Sequence, residues 1–157
     1  MPMAPLAAVT PELFDKVMNL NVKGPLFLVQ KAAPHMPTTG GGRVIFLSTG
    51  VNTSSNVPPP YLLYAASKGA VDQLVRLLSK DLASKNITVN AVAPGPTATE
   101  LFFEGKPDHV VKLIESQSPF NRIGAPEEIA EVITFLASDK SRWVSGQVVR
   151  VNGAAMV

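Results

Sequence analysis

The sequence predicts an α/β fold: part of a doubly wound parallel sheet, about three strands with flanking helices, held in a single domain over residues 1–157. Three observations predict it. A short continuous apolar run at residues 43–47 and strand-like segments at 87–92 and 144–151 alternate with longer segments of helical periodicity. A strand apolar on consecutive positions is buried on both faces, which is the habit of parallel sheets. The order strand, helix, strand, helix, strand is that of βαβ units, which cross over right-handedly. A length of 157 residues, 46% hydrophobic and 17% charged, suffices for one packed core and argues against disorder.

Taken in order, the first helix opens at Thr10-Pro11-Glu12. Thr suits the cap, Pro the first helical position, and an acid the first turn. Leu13, Phe14, Val17, Met18 and Leu20 recur at helical spacing and form an expected inward face. The pattern continues from Leu13 to about Met36, interrupted at Gly24-Pro25. Pro25 has no N–H, so the Asn21 carbonyl four residues earlier loses its helical donor and the helix is expected to kink. Thr38 to Gly42 is a glycine-rich turn ahead of the first strand, and Ser48 to Pro60 is a polar, proline-rich loop. A second long helix runs from Tyr61 to about Lys85, with Ala66, Ala70, Leu74, Leu77 and Leu78 among its apolar positions and Asn86 as its stop. The second strand ends in Pro94-Gly95-Pro96, a turn. Thr97 to Ser118 is mixed, with a helix expected around His109 to Glu115. Ala125-Pro126-Glu127-Glu128 starts the last helix, with Ile129, Val132, Ile133 and Leu136 facing inward.

Composition removes several function classes. The chain has no cysteine, which excludes disulfides, thiolate chemistry and cysteine-ligated zinc. His35 and His109 lie far apart without a metal-type neighbour, so no metal site is expected. The net charge is +2, but Lys and Arg are scattered and form no basic stripe interleaved with aromatics. No nucleic-acid partner is expected. The opening Met1-Pro2-Met3-Ala4-Pro5-Leu6 is too short and proline-rich for a signal peptide or a membrane span. A cytoplasmic protein with no membrane association is the expectation.

Chemistry concentrates at Tyr64 and Lys68, which project from one helix face at i and i+4. Hydride transfer to a carbonyl leaves an oxyanion that needs a proton, and the reverse reaction needs a proton removed. A tyrosine hydroxyl, with an ordinary pKa of about 10, is a poor base at neutral pH. An ammonium roughly 5 Å away, at an effective dielectric near 20, favours phenolate by about 3 kcal/mol. The same spacing also occurs as a plain surface pair, so the surrounding residues carry the weight.

Those surroundings are specific. Tyr64-Ala65-Ala66-Ser67-Lys68-Gly69-Ala70-Val71 resembles the active-site helix of the short-chain dehydrogenase/reductase family. Asn19-Leu20-Asn21-Val22-Lys23-Gly24-Pro25-Leu26-Phe27 looks like its kinked helix, and Arg43-Val44-Ile45-Phe46-Leu47-Ser48-Thr49 like the strand that ends in a catalytic hydroxyl. Ile87-Thr88-Val89-Asn90-Ala91-Val92-Ala93-Pro94-Gly95 resembles the strand and turn beneath the nicotinamide. The residues from Arg122 to Ala130, then Phe135 to Asp139 and Ser145-Gly146, resemble the C-terminal signature. Five blocks in the family's order cover the chain.

The resemblance implies a Rossmann-like fold and an oxidoreductase that uses NAD or NADP to interconvert a carbonyl and a secondary alcohol. It implies Tyr64 as general acid/base, Lys68 as its electrostatic partner and a contact to the nicotinamide ribose, and Asn21 as holder of a relay water through its main-chain carbonyl. The family commonly ends the strand in Ser-Ser, with the second Ser catalytic. Ser48-Thr49 stands here, which puts the role on Thr49 with Ser48 as the other candidate. Pro94, Gly95, Thr97 and Thr99 would meet the cofactor, although Thr97 and Thr99 also read as caps for the following helix. Leu101 to Ser118 corresponds to the substrate lid; Phe102 and Phe103 are a ligand wall or plain packing. Association as a homo-oligomer through the helices from Leu13 to Met36 and from Tyr61 to Lys85 is implied too.

One part of the family's pattern is missing from this sequence. No glycine-rich turn joins a strand to a helix N-terminus, because Gly40-Gly41-Gly42 precedes a strand. The resemblance therefore covers the family's C-terminal portion, beginning just after the fourth strand. Weak or no cofactor binding by this polypeptide alone and an exposed apolar strand edge are expected. A second reading, from another class, is a non-catalytic interaction module built on the two long helices.

Overall fold

The computed structural model describes residues 3–156; Met1, Pro2 and Val157, which the expected domain and the opening segment include, lie outside the described residues. Three parallel strands, β1 (Gly42–Leu47), β2 (Ile87–Pro94) and β3 (Val148–Val151), form one sheet in that order. The register pairs Gly42 with Ile87 through Leu47 with Val92, and Ala91 with Val148 through Pro94 with Val151. The central strand β2 is the most enclosed, with Val89, Asn90, Ala91, Val92 and Ala93 all buried, as befits a central parallel strand covered on both faces.

Helices cover both faces. Ahead of β1 come α1 (Pro11–Met18) and α2 (Gly24–Ala32); α3 (Leu62–Asp81) links β1 to β2. The short α4 (Glu100–Phe103), then α5 (Asp108–Glu115) and α6 (Pro126–Ala137), link β2 to β3. On one side, Val29 and Ala33 and then Val71 and Val75 of α3 pack on Val44, Phe46, Val89 and Ala91. On the other, Ile129 and Leu136 of α6 pack on Val92, with Ile45, Val149 and Val151 around them. Val44 and Phe46 point one way and Ile45 the other because strand side chains alternate. This is the three-layer arrangement expected of a doubly wound sheet.

The helix starts follow from local chemistry. Thr10 Oγ1 accepts from the Leu13 N–H at 3.2 Å and Pro11 occupies the first position, so α1 begins where expected. The kink expected near Pro25 takes the form of a π-turn over Asn19–Lys23, in which the Gly24 N–H donates to the Asn19 carbonyl five residues back. One extra residue is absorbed and the helix continues into α2 instead of breaking.

Four expectations need correcting. In α1 only Val17 is buried, while Phe14 and Leu20 face outward. In α3 the buried stripe is Leu63, Ser67, Val71 and Val75, spaced by four; Ala66 and Leu77 are exposed. The helix ends at Asp81 and a short 3-10 turn, Ala83–Lys85, leads to Asn86 in the left-handed region at φ 56°. The last strand starts at Val148, not Val144, because the buried Asn90 side chain shares the hydrogen bonding before it with isolated main-chain bonds at Gly146 and Gln147. Asn90 Nδ2 donates to the Val144 carbonyl at 2.8 Å and its Oδ1 accepts from the Gln147 N–H at 3.1 Å. The edge of β1 away from β2 has no strand beside it among the described residues, and Leu47 is exposed there. No helix among those residues is long and apolar enough to cross a membrane.

Candidate active site

The carboxyl ends of β1 and β2 gather the residues singled out by sequence, at the end where open α/β sheets bind ligands. Tyr64 lies in the first turn of α3, half-buried, and Lys68 one turn on. The Lys68 ammonium sits 6.0 Å from the Tyr64 ring centroid and donates to the carbonyl of Leu47, the last residue of β1, at 2.7 Å. Burial pushes Lys68 below the usual lysine range, and Asp72 on the next turn pulls it back up. The helix is thus fastened to the strand end through its lysine.

Asn21 is brought in by the π-turn. Its Nδ2 donates to Ser67 Oγ at 2.9 Å, and Ser67 Oγ donates in turn to the Tyr64 carbonyl at 2.8 Å. Ser67 is fully buried. Two of the four catalytic candidates, Asn21 and Tyr64, are therefore joined through Ser67, Tyr64 by its main-chain carbonyl.

Ser48 and Thr49 follow directly from β1, and both are buried. They differ in what their hydroxyls do. Ser48 Oγ donates to Asp72 Oδ1, whose other oxygen accepts from Asn52 Nδ2 at 2.8 Å. Thr49 Oγ1 accepts from the Val51 N–H at 3.3 Å, capping the 3-10 turn Gly50–Thr53. Accepting that bond leaves the Thr49 proton free to donate.

Pro94 closes β2, and the Gly95 N–H donates to the Val151 carbonyl at 2.9 Å. A Cβ on Gly95 would lie 2.8 Å from Asn152 Cα and Cβ. The missing side chain makes room for the Asn152 backbone. Thr97 Oγ1 donates to the Gly95 carbonyl at 3.0 Å, while Thr99 Oγ1 accepts from the Phe102 N–H at 3.2 Å and caps α4. Phe102 and Phe103 stack edge-to-face on each other, centroids 5.3 Å apart.

Comparison with known proteins gives this geometry its family. The model of the family described as Enoyl-(Acyl carrier protein) reductase matches residues 1–154. The NADPH-dependent aldehyde reductase 2, chloroplastic, of Arabidopsis thaliana is 42% identical over 93% of this chain and 53% of its own length. Versicolorin reductase 1 of Aspergillus parasiticus is 39% identical over 96% of this chain and 60% of its own. The crystal structure of the angucycline C-6 ketoreductase LanV with bound NADP superposes with a TM-score of 0.88 at 38% identity, over 99% of this chain and 59% of that one. The chain belongs to the short-chain dehydrogenase/reductase family. It spans somewhat over half the length of these relatives.

Within this short-chain dehydrogenase/reductase chain, two positioning residues escaped sequence reading. Ser67 was visible inside Tyr64-Ala-Ala-Ser-Lys68, and its place four residues before Val71 on the buried stripe was the available signal. Asp72 follows Lys68 at i+4, the spacing at which a carboxylate meets a lysine. Farther along, Arg122 grips Glu128 with two bonds of 2.7 and 2.6 Å, and the Ala125 N–H donates to Glu128 at 2.7 Å. Arg122 first, then that amide, hold the Glu128 carboxyl down at about 2. This clamp orders the start of α6.

Proposed function

We propose that these residues form the proton-handling end of an NAD(P)(H)-dependent oxidoreductase that interconverts a carbonyl and an alcohol. The observation that carries it is the network Asn21–Ser67–Tyr64 with Lys68 fastened to Leu47, at the ligand-binding end of the sheet. When bound, the nicotinamide supplies or takes up the hydride. Tyr64 gives its proton to the developing alkoxide or removes it from the alcohol. Lys68 stabilises the phenolate electrostatically. Thr49 donates its free hydroxyl proton to the substrate oxygen, since Ser48 already spends its own on Asp72. The Asn21 carbonyl, deprived of a helical donor by Pro25, accepts a relay water.

The donor set suits the nicotinamide end of such a cofactor. Lys68 uses one N–H on Leu47 and keeps two for ribose hydroxyls. Thr97 retains lone pairs for a carboxamide N–H, and Thr99, which accepts from Phe102, retains its proton for a phosphate oxygen. NADPH in the name of the Arabidopsis relative and NADP bound to LanV support NADP(H); the aldehyde reductase and ketoreductase relatives support a small carbonyl substrate. Outward-facing Phe14, Leu20, Phe27, Leu28 and Leu77 support homo-oligomerisation through α1, α2 and α3. Tyr64→Phe should cut turnover by about 10²–10⁴-fold with an unchanged unfolding midpoint. A Phe variant that retains turnover refutes the mechanism.

A further inference from the structure

The opposite end of the sheet holds a groove of about 930 Å³ along the amino-terminal ends of β1 and β2. Arg43, Thr88, Asp139, Arg142 and Trp143 line it. The Arg43 side chain is only 9% exposed, yet its counter-ion Asp139 is 94% exposed and 3.4 Å away. Arg43 Nη1 donates to the Gly42 carbonyl at 3.0 Å, while its Nε is buried with no partner. Thr88 Oγ1, in the wall of the same groove, is also buried and unpaired. A guanidinium removed from water needs close pairing, and one long contact to a solvated carboxylate is a poor version of it. Arg142 brings a second cation to the rim, its side chain bonded among the described residues only to the Asp139 main-chain carbonyl at 3.4 Å. Beside it Trp143 is 97% exposed, with its ring unused by the core.

We propose that this groove binds a small oxyanion carried on a planar ring, an aromatic carboxylate or aryl phosphate. The anionic oxygens displace Asp139 and take the guanidinium forks of Arg43 and Arg142, whose geometry matches carboxylate and phosphate. Thr88 supplies a hydroxyl donor, and the ring of the ligand stacks on Trp143. The site lies at the far end of the strands from Tyr64 and stands independently of the oxidoreductase reading.

The chain has a single tryptophan, so its fluorescence reports this groove directly. Benzoate and phenyl phosphate are titrated, with benzyl alcohol and inorganic phosphate as controls. Both ring anions should shift the emission saturably, benzyl alcohol should not, and inorganic phosphate should bind more weakly than phenyl phosphate. The tighter of the two ring anions then identifies the anionic group as carboxylate or phosphate. Arg142→Gln, on an exposed side chain, should weaken binding roughly tenfold or more. Arg43→Gln should remove it, with circular dichroism confirming the fold; Thr88→Val serves as the second wall variant and should weaken binding too. A non-saturating response in the unaltered protein, or equal affinity in the Arg142→Gln and Thr88→Val variants, overturns the proposal.

Discussion

Replacing Ser67 with alanine should cost about 1–2 kcal/mol, and the loss should trace to one hydrogen-bond chain. Ser67 Oγ accepts from Asn21 Nδ2 at 2.9 Å and donates to the Tyr64 carbonyl at 2.8 Å, in a fully buried position. Alanine fits the same space, so no steric penalty enters. The Tyr64 carbonyl keeps its helical partner and loses only a second bond. The half-buried Asn21 amide loses its acceptor, which costs more than a net hydrogen bond of about 0.5–1.5 kcal/mol when no replacement is at hand. Urea unfolding of Ser67→Ala, Asn21→Ala and the double variant closes a cycle. The coupling should be about 1 kcal/mol. A coupling below about 0.3 kcal/mol, within the usual error of additivity, would refute the idea that this bond fixes the π-turn to the Tyr64 helix.

Four further outcomes follow from the packing and the charges. Gly95→Ala drives a Cβ to within 2.8 Å of the Asn152 backbone and should destabilise by about 1–3 kcal/mol, read as a lower urea midpoint. Leu136→Ala empties a position only 1% exposed between α6 and the sheet, and should cost about 2–5 kcal/mol by the same assay. Glu128 is held at about 2 in the folded state against an ordinary 4.5, so its stabilisation is complete above 4.5 and lost as pH falls through about 2. Glu128→Gln should flatten that acid limb of the stability–pH curve. Lys68 is depressed below 10.5 when folded, so the unfolded chain binds its proton more tightly and stability rises with pH just below 10.5. Lys68→Met should remove that rise.

The sheet was legible because residues 44–47 are continuously apolar and β2 carries Ile87, Val89, Ala91, Val92 and Ala93, a composition suited to strands covered on both faces. Tyr64, Lys68 and Asn21 were singled out for a different reason: the proposed proton chemistry calls for those residue types, and Pro25, with no N–H, marks the place where the helix changes to the π-turn over Asn19–Lys23. The face of α3 was less legible. Ala66, Leu74 and Leu77 compete with Val71 and Val75 for the inward stripe, and hydrophobicity does not rank them; tertiary packing does. The length of β3 depended on Asn90, a polar residue in the middle of the central strand whose side chain bonds the Val144 carbonyl and the Gln147 N–H, beside main-chain bonds at Gly146 and Gln147 that do not extend into a regular strand. Whether Gly95 serves a ligand or a neighbour was also invisible, since both demand the same absent side chain.

The buried polar residues argue for how the molecule divides its labour. Ser48 bonds Asp72, Thr49 caps the turn after β1, and Ser67 joins Asn21 to Tyr64. Asn90 ends the irregular run before β3, Ser118 bonds the Gly153 carbonyl, and Ser141 closes α6 through the Leu136 carbonyl. Each of these six is satisfied inside the fold, as buried groups must be unless something outside the chain completes them. Among the described residues, the buried side-chain atoms that are not satisfied, Arg43 Nε and Thr88 Oγ1, belong to residues lining one groove, beside an exposed tryptophan and a second arginine. Arg43 and Thr88 face each other in the register of β1 and β2, so a single ligand in the groove would meet both, whereas the buried polar groups at the carboxyl end of the sheet already bond one another.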